Sequence, residues 1–110
     1  MKKFQIVALA LLLLFLSETA FSAGDPAAGQ KKSVVCHACH GATGISVQPI
    51  YPNLGGQYQD YLSKTLYDFR DGTRQNAIMS GFAANLSDAD IEDISAWYAS
   101  QKGLIEIVDK

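Results

Sequence analysis

The chain has 110 residues, which is room for one small domain. With 9 Lys+Arg against 11 Asp+Glu its formal charge is −2. That balance argues against a nucleic-acid binder, which would carry a basic face. The 48% hydrophobic share points to a well-supplied core, but it is unevenly distributed.

Lys2 and Lys3 precede an apolar run, Phe4 to Leu16, closed by Ser17-Glu18-Thr19. This is the layout of a secretory signal peptide. At 13 residues the run falls short of the ~20 that span a bilayer. Ala20 and Ser22 favour cleavage before Ala23, with cleavage after Ala23 the alternative. Residues 1–22 are therefore expected to be a signal peptide and the chain to be periplasmic, with no membrane insertion after signal removal. Cleavage leaves 88 residues at net charge −3, and six of the 11 leucines leave with the signal. A chain this small and short of aliphatic residues needs a disulfide, a metal or another cofactor to complete its core.

Asp25-Pro26 reads as a helix start, N-cap then first helical position, and the helix runs to Val35. Ala42 to Gly56 follows no period of 2 or 3.6 and holds Pro49 and Pro52, so it is a loop, long enough to be functional. From Gln57 to Asp71 the residues Tyr58, Tyr61, Leu62, Thr65, Leu66 and Phe69 form one helical stripe, and Gly72 is its left-handed stop. Thr73 to Asn85 is a flexible connection with room for a helical turn, and it carries Met79. Ser87-Asp88-Ala89-Asp90 resembles a capping box at the head of a last helix, whose face is Ile91, Ile94, Trp97 and Tyr98 and whose end is Gly103. Residues 104–110 read as a loose C-terminal tail. Lys31-Lys32 read as a solvated face, and Asp88, Asp90, Glu92 and Asp93 as first-turn charges that need no partner. No strand alternation stands out, so the architecture is all-α.

The only two cysteines lie in Cys36-His37-Ala38-Cys39-His40. C-x-x-C-H is the attachment signature of haem c: each thiol adds to one vinyl group, and the adjacent His40 becomes the proximal iron ligand. A thioredoxin-like redox pair would need strands around the motif. A zinc site would need ligands from outside these five residues. A disulfide between Cys36 and Cys39 would close a tiny loop and stabilise little. Haem attachment fits best. Met79, the only methionine besides Met1, then has two readings, as sixth ligand of the iron or as a filler of a core gap. His37, inside the attachment loop, is expected to face solvent.

The Cys36–Gly41 motif, Pro49-Ile50-Tyr51-Pro52-Asn53-Leu54-Gly55-Gly56-Gln57, Tyr61-Leu62 with Phe69, and Gly72-Thr73-Arg74 together resemble a bacterial class I cytochrome c. The likeness is to small monohaem forms and to single halves of the dihaem c-four type, and it covers nearly all of residues 23–103. Met79 followed by Leu86-Ser87-Asp88 is similar to the distal-ligand segment of that group. The resemblance implies about four short helices wrapped around one covalently bound haem, with His40 and Met79 as axial ligands. It implies that the Pro49 carbonyl accepts a hydrogen bond from the proximal imidazole, and that Gly29 lets the terminal helices cross closely near Ile94–Tyr98. It also makes Arg74 and Tyr51 candidate propionate partners. A single attachment motif implies one haem.

The expected function is that of a one-electron carrier between respiratory redox partners, such as a membrane oxidase or reductase, and not an enzyme. The alternatives are a haem subunit fixed to a periplasmic dehydrogenase or reductase, and a five-coordinate haem that binds small ligands. In each case the haem is the largest apolar object inside the chain. The haem-free mature chain is accordingly expected to show little helical circular dichroism, and a helical, cooperatively melting apoprotein would refute this.

Overall fold

The computed structural model describes residues 23–103, which form helices and no strands. Five α-helices follow in order: α1 Pro26–Lys32, α2 His37–His40, α3 Gln59–Asp71, α4 Ala77–Ala83 and α5 Asp88–Ala99. A 3₁₀ turn, Ser33–Cys36, joins α1 to α2, so the chain stays helical from Pro26 to His40. The expected signal peptide and the 104–110 tail lie outside the described residues. No described helix is long and apolar enough to cross a membrane.

The start signals act where the sequence places them. The Asp25 carboxylate accepts from the Ala27 N–H at 2.9 Å, with Pro26 opening α1. Ser87 and Asp90 cap α5 reciprocally, at 3.1 and 3.0 Å. Gly72 stops α3 in the left-handed region at φ +83°. Two ends differ from expectation. Helix α5 stops at Ala99, before Gly103, because the Ser100 N–H closes its last turn onto Ala96 and Trp97. The 73–85 segment holds a two-turn helix, α4, because Asn76 caps it.

Helix α5 is the element the others pack on: α1 most extensively, then α3, while α4 leans on α3. At the α1–α5 crossing, a Cβ on Gly29 would collide with the Asp93 carbonyl and lie 2.9 Å from the Trp97 Cβ. Only glycine permits that approach. Leu62, Ile94 and Tyr98 form the core, with Cys36, Leu54, Leu66, Leu86 and Trp97 packed against it. The α3 stripe is only partly core: Leu62 and Phe69 are buried, whereas Tyr58 and Tyr61 are more than half exposed.

The first-turn acids of α5 are all partnered, contrary to their reading as free helix-end charges. Lys32 Nζ sits 2.6 Å from Asp93 and 2.9 Å from Asp90, and Asp93 also accepts from the Asp25 N–H at 2.7 Å. On the other side Arg70 reaches Asp88 at 2.7 Å and the Tyr67 hydroxyl donates to Glu92 at 3.0 Å. Burial, aided by Glu92, pushes the Tyr67 phenol up to about 12. Thus α5 is clamped to α1 and α3 by charge as well as by packing.

The Lys32 cluster has a defined pH window. Hydrogen bonds from Lys32 hold the Asp90 and Asp93 carboxyls below the usual carboxylate range, and those same bonds hold the Lys32 ammonium above its own. The carboxylates stabilise the fold above about pH 4, an effect lost as pH falls through their lowered values. Lys32 stabilises it below about pH 10, an effect lost as pH rises through its raised value. With side chains 13% to 34% exposed, solvent screening reduces the contribution to about 1 kcal/mol. Lys32→Met should therefore cost about that much in urea unfolding at pH 7, and the deficit should shrink as pH falls from about 4 through the lowered values of Asp90 and Asp93.

Candidate functional site

Cys36 closes the 3₁₀ turn, and Cys39 and His40 follow on α2, so all three lie on one continuous stretch of helix. Both cysteines are free and half-buried. Burial, with the Cys39 sulfur adding, pushes the Cys36 thiol up to about 11. A redox-active Cys-x-x-Cys pair needs the opposite shift, toward thiolate. The described residues also contain no group of three or more His, Cys, Asp or Glu able to hold a metal. Neither the thioredoxin-like nor the zinc alternative gains support.

The His40 imidazole is buried, and its Nδ1 lies 2.8 Å from the Pro52 carbonyl oxygen. A carbonyl only accepts, so Nδ1 carries the proton and the neutral ring keeps its lone pair on Nε2. The acceptor is Pro52 and not Pro49, which corrects the expectation drawn from the resemblance. The Tyr51 N–H turns back onto the Gln48 carbonyl at 3.1 Å, leaving Pro49 exposed in that turn. The chain returns to the imidazole three residues later.

The 42–56 loop is closed by its own backbone. Val47 N–H donates to the Cys39 carbonyl at 3.2 Å, and the Leu54 and Gly55 amides share the Gly44 carbonyl at 2.8 and 3.1 Å. Helix α5 holds the residues just after His40. The Tyr98 hydroxyl donates to the Gly41 carbonyl at 3.1 Å, and Trp97 Nε1–H to the Ala42 carbonyl at 3.0 Å. Burial pushes the Tyr98 phenol above its ordinary range. Sequence patterning placed both aromatics in the core but could not show these bonds. A buried Tyr or Trp needs a partner for its polar atom, and that rule was the available signal.

The other singled-out residues fall as follows. Tyr51 meets the His40 ring edge-on at 6.5 Å between centroids. The Arg74 guanidinium lies over the Phe69 ring at 4.9 Å. His37 does not simply face solvent, since its Nε2 pairs with the Ser33 hydroxyl at 3.1 Å. Met79 is half-buried on α4, and Asn76 Oδ1 accepts from both the Ile78 and Met79 N–H groups at 3.0 Å. Asn76 was not singled out from the sequence, although Asn before a short apolar run is an N-cap signal.

Large hydrophobics that the polypeptide leaves more than half exposed concentrate on the segments carrying these residues. Val34 and Val35 precede Cys36; Ile45, Val47 and Ile50 lie in the loop after His40. Tyr58 and Tyr61 open α3, and Ile78 and Phe82 flank Met79 on α4. A porphyrin, flat and largely apolar, is a group that exposed apolar side chains of this kind would cover, and the free thiols of Cys36 and Cys39 with the buried His40 imidazole are the residues that would hold it.

The fold and motif are those of an all-α class I cytochrome c domain. The Cytochrome c family profile matches residues 26–102. The chain is 50% identical over 99 residues to cytochrome c4 of Pseudomonas aeruginosa, covering 90% of this chain and 49% of that one. It is 49% identical over 83 residues to cytochrome c-554(548) of Halomonas halodenitrificans, covering 73% of this chain and 100% of that one. The crystal structure of reduced recombinant cytochrome c4 from Pseudomonas stutzeri superposes with a TM-score of 0.70 at 44% identity, covering 74% of this chain and 47% of that one. The chain belongs to the cytochrome c family, whose members carry covalently attached haem c. It spans about half the length of the cytochrome c4 proteins it matches.

Asn76 satisfies two otherwise free amides at the head of α4. Asn76→Ala should therefore destabilise the holoprotein by about 1 kcal/mol in urea unfolding, with Asn76→Asp recovering most of the loss.

Proposed function

We propose that the chain is a periplasmic one-electron carrier holding a single haem c, tethered through thioethers at Cys36 and Cys39, with His40 and Met79 as axial iron ligands. When bound, the haem supplies a reversible ferrous–ferric couple. The observation that carries this reading is the His40–Pro52 hydrogen bond. It fixes the one imidazole tautomer whose Nε2 can coordinate iron, and it raises the basicity of that nitrogen.

The polypeptide does the rest by holding and excluding. Cys36, packed against Leu62, Ile94 and Tyr98, sets one tether on the rigid core. His40 is buried, so water has little access to the proximal side. Met79 offers a thioether, a ligand that raises the potential above that of a bis-imidazole site. Ligands on both faces leave no position for a substrate, so the chain acts by electron transfer and not as an enzyme. Its partners are redox proteins, met through small and transient contacts.

A redox titration with spectra recorded throughout tests this. The holoprotein should show one reversible one-electron wave and low-spin spectra in both states, and should resist carbon monoxide at neutral pH. Met79→Ala should bind carbon monoxide rapidly when reduced and lose roughly a tenth of a volt or more, within the range of about 0.8 V that axial ligands set. An unchanged spectrum and potential would remove Met79 from the iron. Rapid carbon monoxide binding by the unaltered protein would favour the five-coordinate alternative. Co-elution of the native protein with a dehydrogenase or reductase on gel filtration would favour the fixed-subunit alternative.

A further inference from the structure

We infer that Tyr98 is a positioning residue for the proximal imidazole, because its hydroxyl and its backbone carbonyl tie to the core the two segments that carry His40 and Pro52. The inference rests on His40 being the iron ligand, as proposed above. On the donor side, the Tyr98 hydroxyl bonds to the carbonyl of Gly41, the residue next to His40, at 3.1 Å. On the acceptor side, the Tyr98 backbone carbonyl receives the Gly56 N–H at 3.0 Å, four residues beyond Pro52. Tyr98 is itself 1% exposed and lies in the cluster with Leu62 and Ile94. The imidazole and its acceptor therefore share one anchor.

Geometry on the donor side leaves little slack. Gly41 turns the chain at φ +78°, and its N–H closes α2 onto the His37 carbonyl at 3.0 Å. Its carbonyl is where the phenol pulls. Releasing it lets the end of α2 rotate away from the Pro52 strap, which lengthens the Nδ1–H···O bond. A weaker bond makes the imidazole a poorer electron donor, which destabilises the ferric state and raises the potential. Tyr67 provides a matched control, since its hydroxyl also bonds to α5, at Glu92, but far along the chain from His40.

The test uses ferrous and ferric holoprotein of Tyr98→Phe, Tyr67→Phe and the unaltered chain. A low-spin histidine-ligated spectrum of the unaltered protein is established first, so failure of the ligand assignment shows before any variant is read. Tyr98→Phe should speed exchange of the His40 Nδ1 proton by roughly five-fold or more, as loss of one hydrogen bond predicts, and should raise the potential. Tyr67→Phe should change neither. An effect of Tyr98→Phe on melting temperature alone, or equal effects of both variants, overturns the inference. A second measurement needs no variant: in the unaltered holoprotein the Nδ1 proton and the Gly56 amide, each referred to the exchange rate of the same group in an unstructured chain, should be protected to within about ten-fold of each other, because one opening frees both. A Nδ1 proton protected far less than that amide overturns it as well.

Discussion

An imidazole has two nitrogens, and a site that needs one of them as a ligand must occupy the other. In this chain the Pro52 carbonyl does so at 2.8 Å from His40 Nδ1. The distance matters because the two residues belong to different kinds of structure, one to the end of a helix and one to an irregular loop. Much of the described fold serves to keep these two in register. The loop folds onto Gly44 and Cys39 through its own amides, and α5 grips it from outside through Trp97 and Tyr98. A loop of this length would otherwise sample many positions.

That grip works only if α5 is itself fixed. Glycine at position 29 brings α1 into backbone contact with it, and Lys32 then reaches Asp90 and Asp93 across the crossing. From the other side Arg70 and Tyr67 of α3 reach Asp88 and Glu92. The acids at the head of α5 thus serve twice. They favour the helix N-terminus electrostatically, and they draw two neighbouring helices onto it.

The features legible in the sequence were local ones. Asp25-Pro26, Ser87 with Asp90, and Gly72 fix helix ends through contacts within a few residues, so spacing alone located them. The Cys36–His40 motif is likewise local. What escaped depends on contacts made far along the chain. The choice between Pro49 and Pro52 turns on a reversal at Gln48–Tyr51 that no period reports. The bonds of Tyr98 to Gly41 and of Trp97 to Ala42 span more than fifty residues. The partners of Lys32 and of the α5 acids lie on other helices, and an amphipathic pattern does not say which charges will meet. Residues 73–85 read from sequence as a connection with room for one helical turn, because stop and start signals crowd into thirteen residues and only the Asn76 cap distinguishes the two-turn helix from a turn.

The two sides of the site are built with unequal firmness. His40 is buried, its ring is held by Pro52, and the next two carbonyls are held by aromatic donors. Met79 sits on a seven-residue helix whose one buried residue is Ala83 and which packs chiefly on α3. Few buried contacts place α4 at the low-stability end of the fold. On the carrier reading, the bond from Met79 to iron then contributes to holding α4 in place, and α4 gives little rigidity in return. A ligand held mainly by its own bond can follow the small changes in iron–ligand distance between oxidation states without straining the core. On the same reading His40, buried and bonded to Pro52, would keep the orientation of the group constant. The firm His40 side would then set the electronic character of the site, while the compliant Met79 side would absorb the change that each electron brings.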